Sequence, residues 1–259
     1  MSNHDDPPAP PPAAAEIFGT AIGQAERYAG LLAGPGVERG LLGPGEAARL
    51  WDRHLLNCAV VAELVPSPCS LIDLGSGAGL PGIVLAMLLP EITVTLLEPM
   101  ARRVAFLEEC IQILGLANAE VRRGRAEDVI GLLAADVVIA RAVAPLDKLA
   151  GLAIALLKPG GVVLAIKGAG AAAEVSRARP ELRRLGARDV EVVRAGSGKV
   201  DPAATVVRFT AGRPAGQALR PGAPGAVGAG DLRHGPQGMA GRGVVPTRRA
   251  AHRGRRGPG

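Results

Sequence analysis

The sequence predicts an α/β protein with a mostly parallel sheet of seven strands, an antiparallel hairpin at one edge and a helical extension before the first strand. Short apolar segments alternate with helical segments from residue 70 onward, which is typical of parallel sheets with right-handed crossovers. A glycine-rich turn joins the first strand to its helix, as in ligand-binding α/β folds. The last two strands have no helix between them, so they should form the antiparallel hairpin.

The predicted elements follow one another in order along the chain. Between residues 17 and 64, apolar residues recur at three-to-four spacing around two Gly-Pro-Gly interruptions, which predicts two or three helices. Strands are predicted at 70–74, 93–97, 119–122, 136–140, 162–166, 189–194 and 204–209. Helices are predicted at 81–89, 101–114, 146–157 and 171–185. Because residues 136–140 are almost wholly apolar, their strand should lie at the centre of the sheet.

Composition divides the chain into four parts. Residues 1–15 are rich in proline and alanine and are predicted to be disordered, 16–66 hold the N-terminal helices, and 67–210 hold the α/β domain. Residues 211–259 contain nine arginines and one acid, a net charge of +8 against +6 for the whole chain. The high isoelectric point therefore comes from this tail, which we interpret as a disordered extension. The alternative is a basic arm that attracts phosphates.

The rest of the composition argues against several classes of protein. Cys58, Cys69 and Cys110 are scattered without a C-x-x-C motif or histidine partners, which indicates buried thiols in a reducing compartment and no metal site. The N-terminus has no apolar signal segment, and the most apolar window, 149–157, is too short to span a bilayer. We therefore expect a cytoplasmic monomer without membrane contacts.

Residues 71–90 are the most informative stretch of the chain. A short apolar strand runs into a turn with four glycines and then into an apolar helix. Such a turn brings bare backbone N–H groups and a helix N-terminus close to a ligand. Asp73, two positions before the first glycine, would repel a pyrophosphate but suits a cationic or hydroxyl-bearing ligand. We therefore expect S-adenosylmethionine (AdoMet) as cofactor, a site with Asp73, Gly75 and Gly77, and the Rossmann-like fold of class I AdoMet-dependent methyltransferases.

A nicotinamide-dependent oxidoreductase is the main alternative. Residues 77–82 satisfy G-x-G-x-x-G, and Glu98 follows at the distance of a ribose-binding acid. Against this, Asp73 and Pro81 stand where dinucleotide phosphates need neutral backbone and free amides. The chain also lacks a Tyr-x-x-x-Lys pair, since its only tyrosine is Tyr28.

Further candidates follow the predicted strand ends, which meet in one crevice of a parallel sheet. Glu98 would accept hydrogen bonds from both ribose hydroxyls, or it is an ordinary strand-end acid. Ala126 and Glu127 lie where the adenine edge is bound in such folds, although Glu127 equally suits a helix start. Arg141 interrupts an apolar strand, and a buried arginine needs a partner. It either pairs with a carboxylate of the site or contacts ligand or substrate.

Several short motifs carry a resemblance to a known family. They are LWDRHLL at 50–56, DLGSGAGLPGI at 73–83, RRVAFL at 102–107, RAE at 125–127, ARA at 140–142, LKPGG at 157–161 and KG at 167–168. Over roughly residues 20–210 the chain resembles the small-subunit rRNA guanine-N7 methyltransferases, the RsmG or glucose-inhibited division protein B family. Two features depart from that family. Asn57-Cys58 stands where its members usually have Asp-Ser, and the basic tail has no counterpart.

The resemblance implies transfer of a methyl group from AdoMet to N7 of a guanine in the 16S rRNA of the small ribosomal subunit. It also implies an AdoMet site lined by Gly75, Leu80, Ala126, Glu127 and Arg141. Guanine N7 has a lone pair and no proton, so its methylation needs no general base and depends mainly on positioning. A non-catalytic, AdoMet-binding ribosome assembly factor is a second alternative.

Two sets of polar residues are candidates for contacts with the substrate. Arg141 and His54 are the candidate catalytic residues. A second set consists of arginines expected to hold rRNA phosphates, namely Arg53, Arg102, Arg103, Arg123 and Arg125. For these arginines the alternative is a solvated surface. Aromatic residues are too few for a platform that stacks several bases, which favours a folded RNA or a ribosomal particle as substrate.

Overall fold

A computed structural model describes residues 9–212, apart from the side chain of Pro44. Its strands are β1 (Ser70–Leu74), β2 (Thr93–Glu98), β3 (Ala119–Arg123), β4 (Ala135–Arg141), β5 (Leu157–Lys167), β6 (Ala187–Ala195) and β7 (Ala204–Ala211). They form one sheet in the order β3-β2-β1-β4-β5-β7-β6. β1 to β5 pair in parallel, whereas β7 is antiparallel to both β5 and β6. The predicted class I methyltransferase arrangement, with its antiparallel edge hairpin, is confirmed.

Strand β5 begins five residues earlier than the pattern predicts. Leu157 pairs with Ala135, and an irregularity follows before Val162 pairs with Val137. The Lys-Pro-Gly-Gly stretch between them has the composition of a turn, yet it continues the strand. A Cβ on Gly161 would lie 2.9 Å from the carbonyl oxygen of Asp136, so the close approach of the two backbones at this irregularity requires glycine.

The helices lie before the sheet and between its strands. They are α1 (Pro12–Phe18), α2 (Ile22–Leu31), α3 (Asn57–Ala59), α4 (Gly82–Leu88), α5 (Ala101–Leu114), α6 (Ala126–Val129), α7 (Leu146–Ala155) and α8 (Ala171–Arg184). Together with the 3₁₀ and π turns on either side of it, α3 belongs to a continuous helical segment over 44–64. Within residues 9–212, no helix combines the length and the apolar character needed to cross a bilayer.

Disorder was predicted for residues 1–15 and 211–259, and the structure describes part of the first stretch as a helix. α1 begins at Pro12, inside the stretch predicted to be disordered, and Ala14 and Phe18 on it are buried. Proline suits the first helical turn, alanine is the strongest helix former, and packing stabilises the short helix. The prediction is therefore wrong for residues 12–15. Residues 1–8 and 213–259, for which disorder was also predicted, lie outside the described residues.

The sheet has a hydrophobic cluster on each face because successive strand residues point to opposite sides. Leu71, Val137 and Leu164 belong to one cluster, which also contains residues of the N-terminal helices, α4 and α5. Val138 and Val163 belong to the other, together with residues of α7 and α8. The N-terminal helices and the sheet thus share one core, and this packing holds the helices beside the carboxyl ends of the strands.

Candidate functional site

The turn after β1 lies at the centre of the candidate site. β1 pairs with β2 on one side and β4 on the other, and Asp73 is in register with Leu96 and Ile139. The carboxyl ends of the three strands therefore lie side by side. This brings the glycine turn between Glu98, at the end of β2, and Arg141, at the end of β4.

The backbone amides of the glycine turn are bound within the protein. Gly75 and Ser76 donate to the carbonyl oxygen of Leu97 at 2.9 and 3.2 Å. Gly79 and Leu80 donate to the carbonyl oxygen of Ser76. The expectation of bare N–H groups facing a ligand is therefore wrong for these four amides. Those of Gly75 and Ser76 join the turn to β2, and those of Gly79 and Leu80 close the turn on itself. A pyrophosphate would find few donors here, which disfavours a dinucleotide.

Asp73 faces the start of α4 rather than an open crevice. Its carboxylate Oδ2 accepts a hydrogen bond of 2.9 Å from the Gly82 amide, and Oδ1 is buried without a hydrogen-bond partner among the described residues. Burial raises the pKa of Asp73 to about 7, although the Gly82 amide favours the ionised form. The carboxylate occupies the helix N-terminus where a dinucleotide phosphate would lie. A direct contact of Asp73 with AdoMet stays a prediction.

The raised pKa of Asp73 predicts a pH dependence of stability. An unfolded carboxyl ionises near 3.8 and the folded one near 7, so this group's contribution to stability is lost as the pH rises between these values. The difference is on the order of 4 kcal/mol. Denaturant unfolding of the wild type and of Asp73→Asn should therefore give stability curves that diverge between pH 4 and pH 7. Parallel curves would show that Asp73 ionises at its ordinary pKa.

Val143 and Tyr28 pack against the glycine turn. A Cβ on Gly75, whose φ is +71°, would lie 2.9 Å from Cγ2 of Val143, which follows β4. From α2, the buried Tyr28 hydroxyl donates to the Ala78 carbonyl oxygen at 2.6 Å. Burial raises the pKa of Tyr28 well above its ordinary value, so the hydroxyl stays a donor. The N-terminal helices thus help to fix the turn, a role that sequence reasoning missed for Tyr28.

Tyr28→Phe should destabilise the fold and weaken AdoMet binding. The substitution leaves the Ala78 carbonyl oxygen buried without its donor, which costs about 1–3 kcal/mol. Chemical unfolding and calorimetric titration with AdoMet measure the two effects. An unchanged AdoMet affinity in a destabilised variant would show that the hydroxyl serves stability alone.

Glu98 is buried beneath the turn. Its carboxylate oxygens accept hydrogen bonds from the amides of Gly77 and Met100, each at 3.0 Å. Arg103 lies 3.7 Å from Glu98 and is its ion-pair partner. Glu98 therefore holds the turn and the start of α5, and Arg103 lies beside it. Binding of rRNA by Arg103 stays a prediction. Acceptance of the ribose hydroxyls by Glu98 stays a prediction, and the exposed Met100 beside it offers an apolar surface.

Arg141 is joined to the N-terminal helical segment by a hydrogen-bonded chain. Its guanidinium contacts Nδ1 of His54 and donates to Sγ of Cys58 at 3.1 Å. On the other side of its ring, His54 Nε2 lies 2.6 Å from the Glu46 carboxylate. Burial, and then the positive charge of Arg141, lowers the pKa of His54. The neutral His54 ring therefore accepts from Arg141 and donates to Glu46. A catalytic role of His54 stays a prediction.

The two candidate residues after β3 differ in exposure. Ala126 is buried at the start of α6, whereas Glu127 is exposed and lines a groove with residues of α7 and α8. This position suits the alternative interpretation of Glu127 as a carboxylate in the first helical turn. Leu80 is almost completely buried in the core cluster that contains the N-terminal helices. AdoMet contacts by these three residues stay predictions.

The predicted RNA-binding arginines are not equivalent. Arg102, Arg123 and Arg125 are exposed. Arg53 is half-exposed and lies 3.4 Å from Glu46. Binding of rRNA phosphates stays a prediction for these four residues.

A cavity of about 630 Å³ lies beyond the carboxyl ends of β4 and β5 and contains no residue of the glycine turn. The helical segment 44–64 and the connection between β6 and β7 complete its walls. Its lining includes four basic residues, Arg49, Arg53, Arg141 and Lys167. Ala142, next to Arg141, has a φ of +56°, a strained conformation of the kind that clusters at functional sites.

Sequence reasoning did not assign Glu46, Cys58 or Tyr28 to the site. Glu46 is linked to the site only by its hydrogen bond with His54, and Cys58 only by its contact with Arg141. Tyr28 is linked to it by its hydrogen bond to the Ala78 carbonyl oxygen. One signal was present for Cys58, because the Asn57-Cys58 pair departs from the resembled family. In the structure, Asn57 lines the cavity and Cys58 contacts Arg141.

Comparisons with known proteins agree on one family. A family model described as "GidB: rRNA small subunit methyltransferase G" matches residues 21–201. A protein of Thermobifida fusca named "Ribosomal RNA small subunit methyltransferase G" is 59% identical over 201 residues, which cover 78% of this chain and 85% of that protein. A protein of the same name from Mycolicibacterium gilvum is 54% identical over 209 residues, covering 79% and 91% of the two chains.

Among solved structures, the fold is similar to that of cofactor-bound Rv0187 from MTB. The TM-score is 0.50 at 20% sequence identity, and the match covers 78% of this chain and 97% of the other. At this identity the likeness concerns the fold alone.

Proposed function

The chain belongs to the family of ribosomal RNA small subunit methyltransferase G, and from this membership we propose that it transfers the methyl group of AdoMet to N7 of a guanine in 16S rRNA. The family match over residues 21–201 is the observation that carries the proposal. It includes the glycine turn, Glu98, Arg141 and the helical segment 44–64. The geometry adds a turn with few free amides, which suits AdoMet better than a dinucleotide.

The residues around the glycine turn fit AdoMet. When bound, AdoMet supplies an electrophilic methyl group on a sulfonium. Val143 packs against Gly75, where a Cβ would come within 2.9 Å of its Cγ2, and both Val143 and Met100 expose apolar surface. We propose that this surface, Glu98 and the backbone at Ala126 hold AdoMet.

Arg141 and its chain of partners would orient the reacting groups. The guanidinium is fixed by His54 and Cys58, so it keeps its direction without a cost in side-chain entropy at each turnover. His54 is bound at both ring nitrogens and is neutral, which leaves it no role as a base. Guanine N7 needs none, since no proton is removed from it.

The test is transfer of radiolabelled methyl from AdoMet to small ribosomal subunits from cells that lack this protein. Reductive, aniline-induced cleavage of the labelled rRNA at one position would identify 7-methylguanine. Label without cleavage would assign another acceptor atom. AdoMet binding without label would favour the non-catalytic assembly factor. Thermal stabilisation by NAD(P) but not by AdoMet would favour the oxidoreductase.

The proposed reaction also implies a substrate particle and a cellular compartment. We propose that the protein acts in the cytoplasm on the small subunit or its 16S rRNA. We also propose that it acts as a monomer. Light scattering during turnover would test this state.

A further inference from the structure

The cavity beyond β4 and β5 has the size and position of an acceptor site. Its volume of about 630 Å³ lies within the ~300–1,000 Å³ typical of small-ligand pockets, and a nucleotide fits such a space. Arg141 belongs both to the cavity and to the strand end beside the glycine turn. Ile166 and Pro202 add apolar surface to the lining, which suits the faces of a base.

Two carboxylates, those of Asp52 and Asp201, line this basic cavity. Within residues 9–212, neither forms a hydrogen bond or an ion pair with the cavity's cations. Arg53 lies beside Glu46, and Lys167 lies 2.8 Å from Glu174. A surface that only bound phosphates would be weakened by unpaired carboxylates. Both side chains are exposed, so their carboxylates are free to accept from a ligand that brings N–H donors as well as phosphates.

We propose that this cavity receives the target guanine and that the carboxylate of Asp201 accepts hydrogen bonds from its N1–H and N2 amino groups. This inference rests on the proposed function. Among the four bases, only guanine presents these two adjacent donors to one carboxylate. N7 lies on the opposite edge of the purine, so a base held in this way keeps its nucleophilic nitrogen free. Enzymes that act on extruded bases hold the Watson–Crick edge in the same manner.

The charge change in the reaction also favours a carboxylate in the cavity. The N7 lone pair forms the new C–N bond, while the S–CH₃ bond breaks and leaves its electron pair on sulfur. Positive charge therefore moves from the sulfonium to the guanine ring. A carboxylate beside N1 and N2 stabilises this charge more strongly as it develops, which is electrostatic stabilisation of the transition state.

The surroundings favour Asp201 over Asp52. Asp52 lies within one helical turn of Arg49 and directly before Arg53, so its own segment compensates its charge. Asp201 lies in the connection between β6 and β7, next to the apolar Pro202. Lys199, two residues earlier, is paired with Glu63. Asp201 therefore keeps a carboxylate without an ion-pair partner among residues 9–212, beside a surface on which a base can lie.

The experiment compares substrates with guanine or inosine at the position that aniline cleavage identifies. Inosine keeps N7, O6 and N1–H but lacks the N2 amino group. For the wild type, kcat/KM should be about 10- to 100-fold lower with inosine. Asp201→Asn should lose a similar factor on guanine and should prefer guanine over inosine by less than about threefold. Asp52→Asn should keep the wild-type preference, and Asp147→Asn on α7 serves as the unchanged control.

The outcomes separate this inference from the proposed function. If Asp201→Asn keeps the wild-type preference for guanine, or if only Asp52→Asn loses it, the assignment is overturned. If wild-type protein methylates neither RNA, the proposed function fails and the inference fails with it. If Asp201→Asn turns over too slowly to be measured, its preference is obtained from the affinities of the guanine and inosine RNAs in a filter-binding assay. AdoMet affinity and melting temperature of Asp201→Asn should match those of the wild type.

Discussion

Replacement of Gly75 by valine is expected to lower the affinity for AdoMet at least about 100-fold. The residue has a φ of +71°, and a Cβ there would lie 2.9 Å from Cγ2 of Val143. A β-branched residue in this conformation costs about 1–2 kcal/mol, and the added methyl groups would have to displace Val143. The turn would then shift from Leu97, whose carbonyl oxygen binds its first two amides.

Calorimetric titration with AdoMet measures this effect, and circular dichroism establishes that the variant is folded. Gly160→Val is the matched control, because Gly160 has a φ of +81° and a Cβ there would meet no described atom within 4 Å. It shares the backbone strain, lacks the clash and lies at the other end of the sheet. Gly75→Ala, a milder change, should bind AdoMet with intermediate affinity. Wild-type affinity in Gly75→Val would remove the glycine turn from the AdoMet site.

Arg141→Ala is expected to lower the rate of methyl transfer by at least tenfold and by as much as about 1,000-fold. The guanidinium belongs to the cavity and is held by His54 and Cys58. Its removal takes away the positive group between the strand end and the acceptor cavity. It also leaves His54 without the donor to its Nδ1. Because the orienting interaction is lost, kcat should fall more than KM rises.

Single-turnover transfer to small subunits measures the chemical step directly. Arg141→Lys keeps the positive charge but lacks the planar guanidinium that contacts His54 and Cys58 through two nitrogens. It should therefore recover only part of the rate. Glu46→Ala should give a smaller loss, since Arg141 remains while His54 loses its acceptor. A wild-type rate in Arg141→Ala, combined with a lower melting temperature, would assign Arg141 a structural role only.

The order and type of the main elements were predictable from the sequence. The strand predicted at 70–74 has these bounds in the structure, as does the helix predicted at 101–114. Both depend on apolar periodicity and on glycine or proline at their ends, which are local properties. The early start of β5 and the helix at Pro12 were missed, since each depends on packing against a distant part of the chain.

The partners of the site residues were not predictable. The hydrogen bond of Asp73 with the Gly82 amide and the ion pair of Arg103 with Glu98 could not be read from the sequence. Arg141 was expected either to pair with a carboxylate or to reach a ligand. Within residues 9–212 its guanidinium contacts His54 and Cys58, and the Glu46 carboxylate lies on the far side of His54. Contact with a ligand or substrate stays a prediction.

By itself, the sequence determined the sheet, its edge hairpin, the glycine turn and, through its motifs, the family. These features arise from residues close together in the chain, whose periodicity and turn chemistry are set locally. Only the tertiary structure decided which groups meet. Tyr28 reaches Ala78 across 50 residues, and Arg141 reaches Cys58 across 83. Such pairs form because the shared core packs the N-terminal helices against the sheet, and no local pattern specifies which side chains that packing brings into contact.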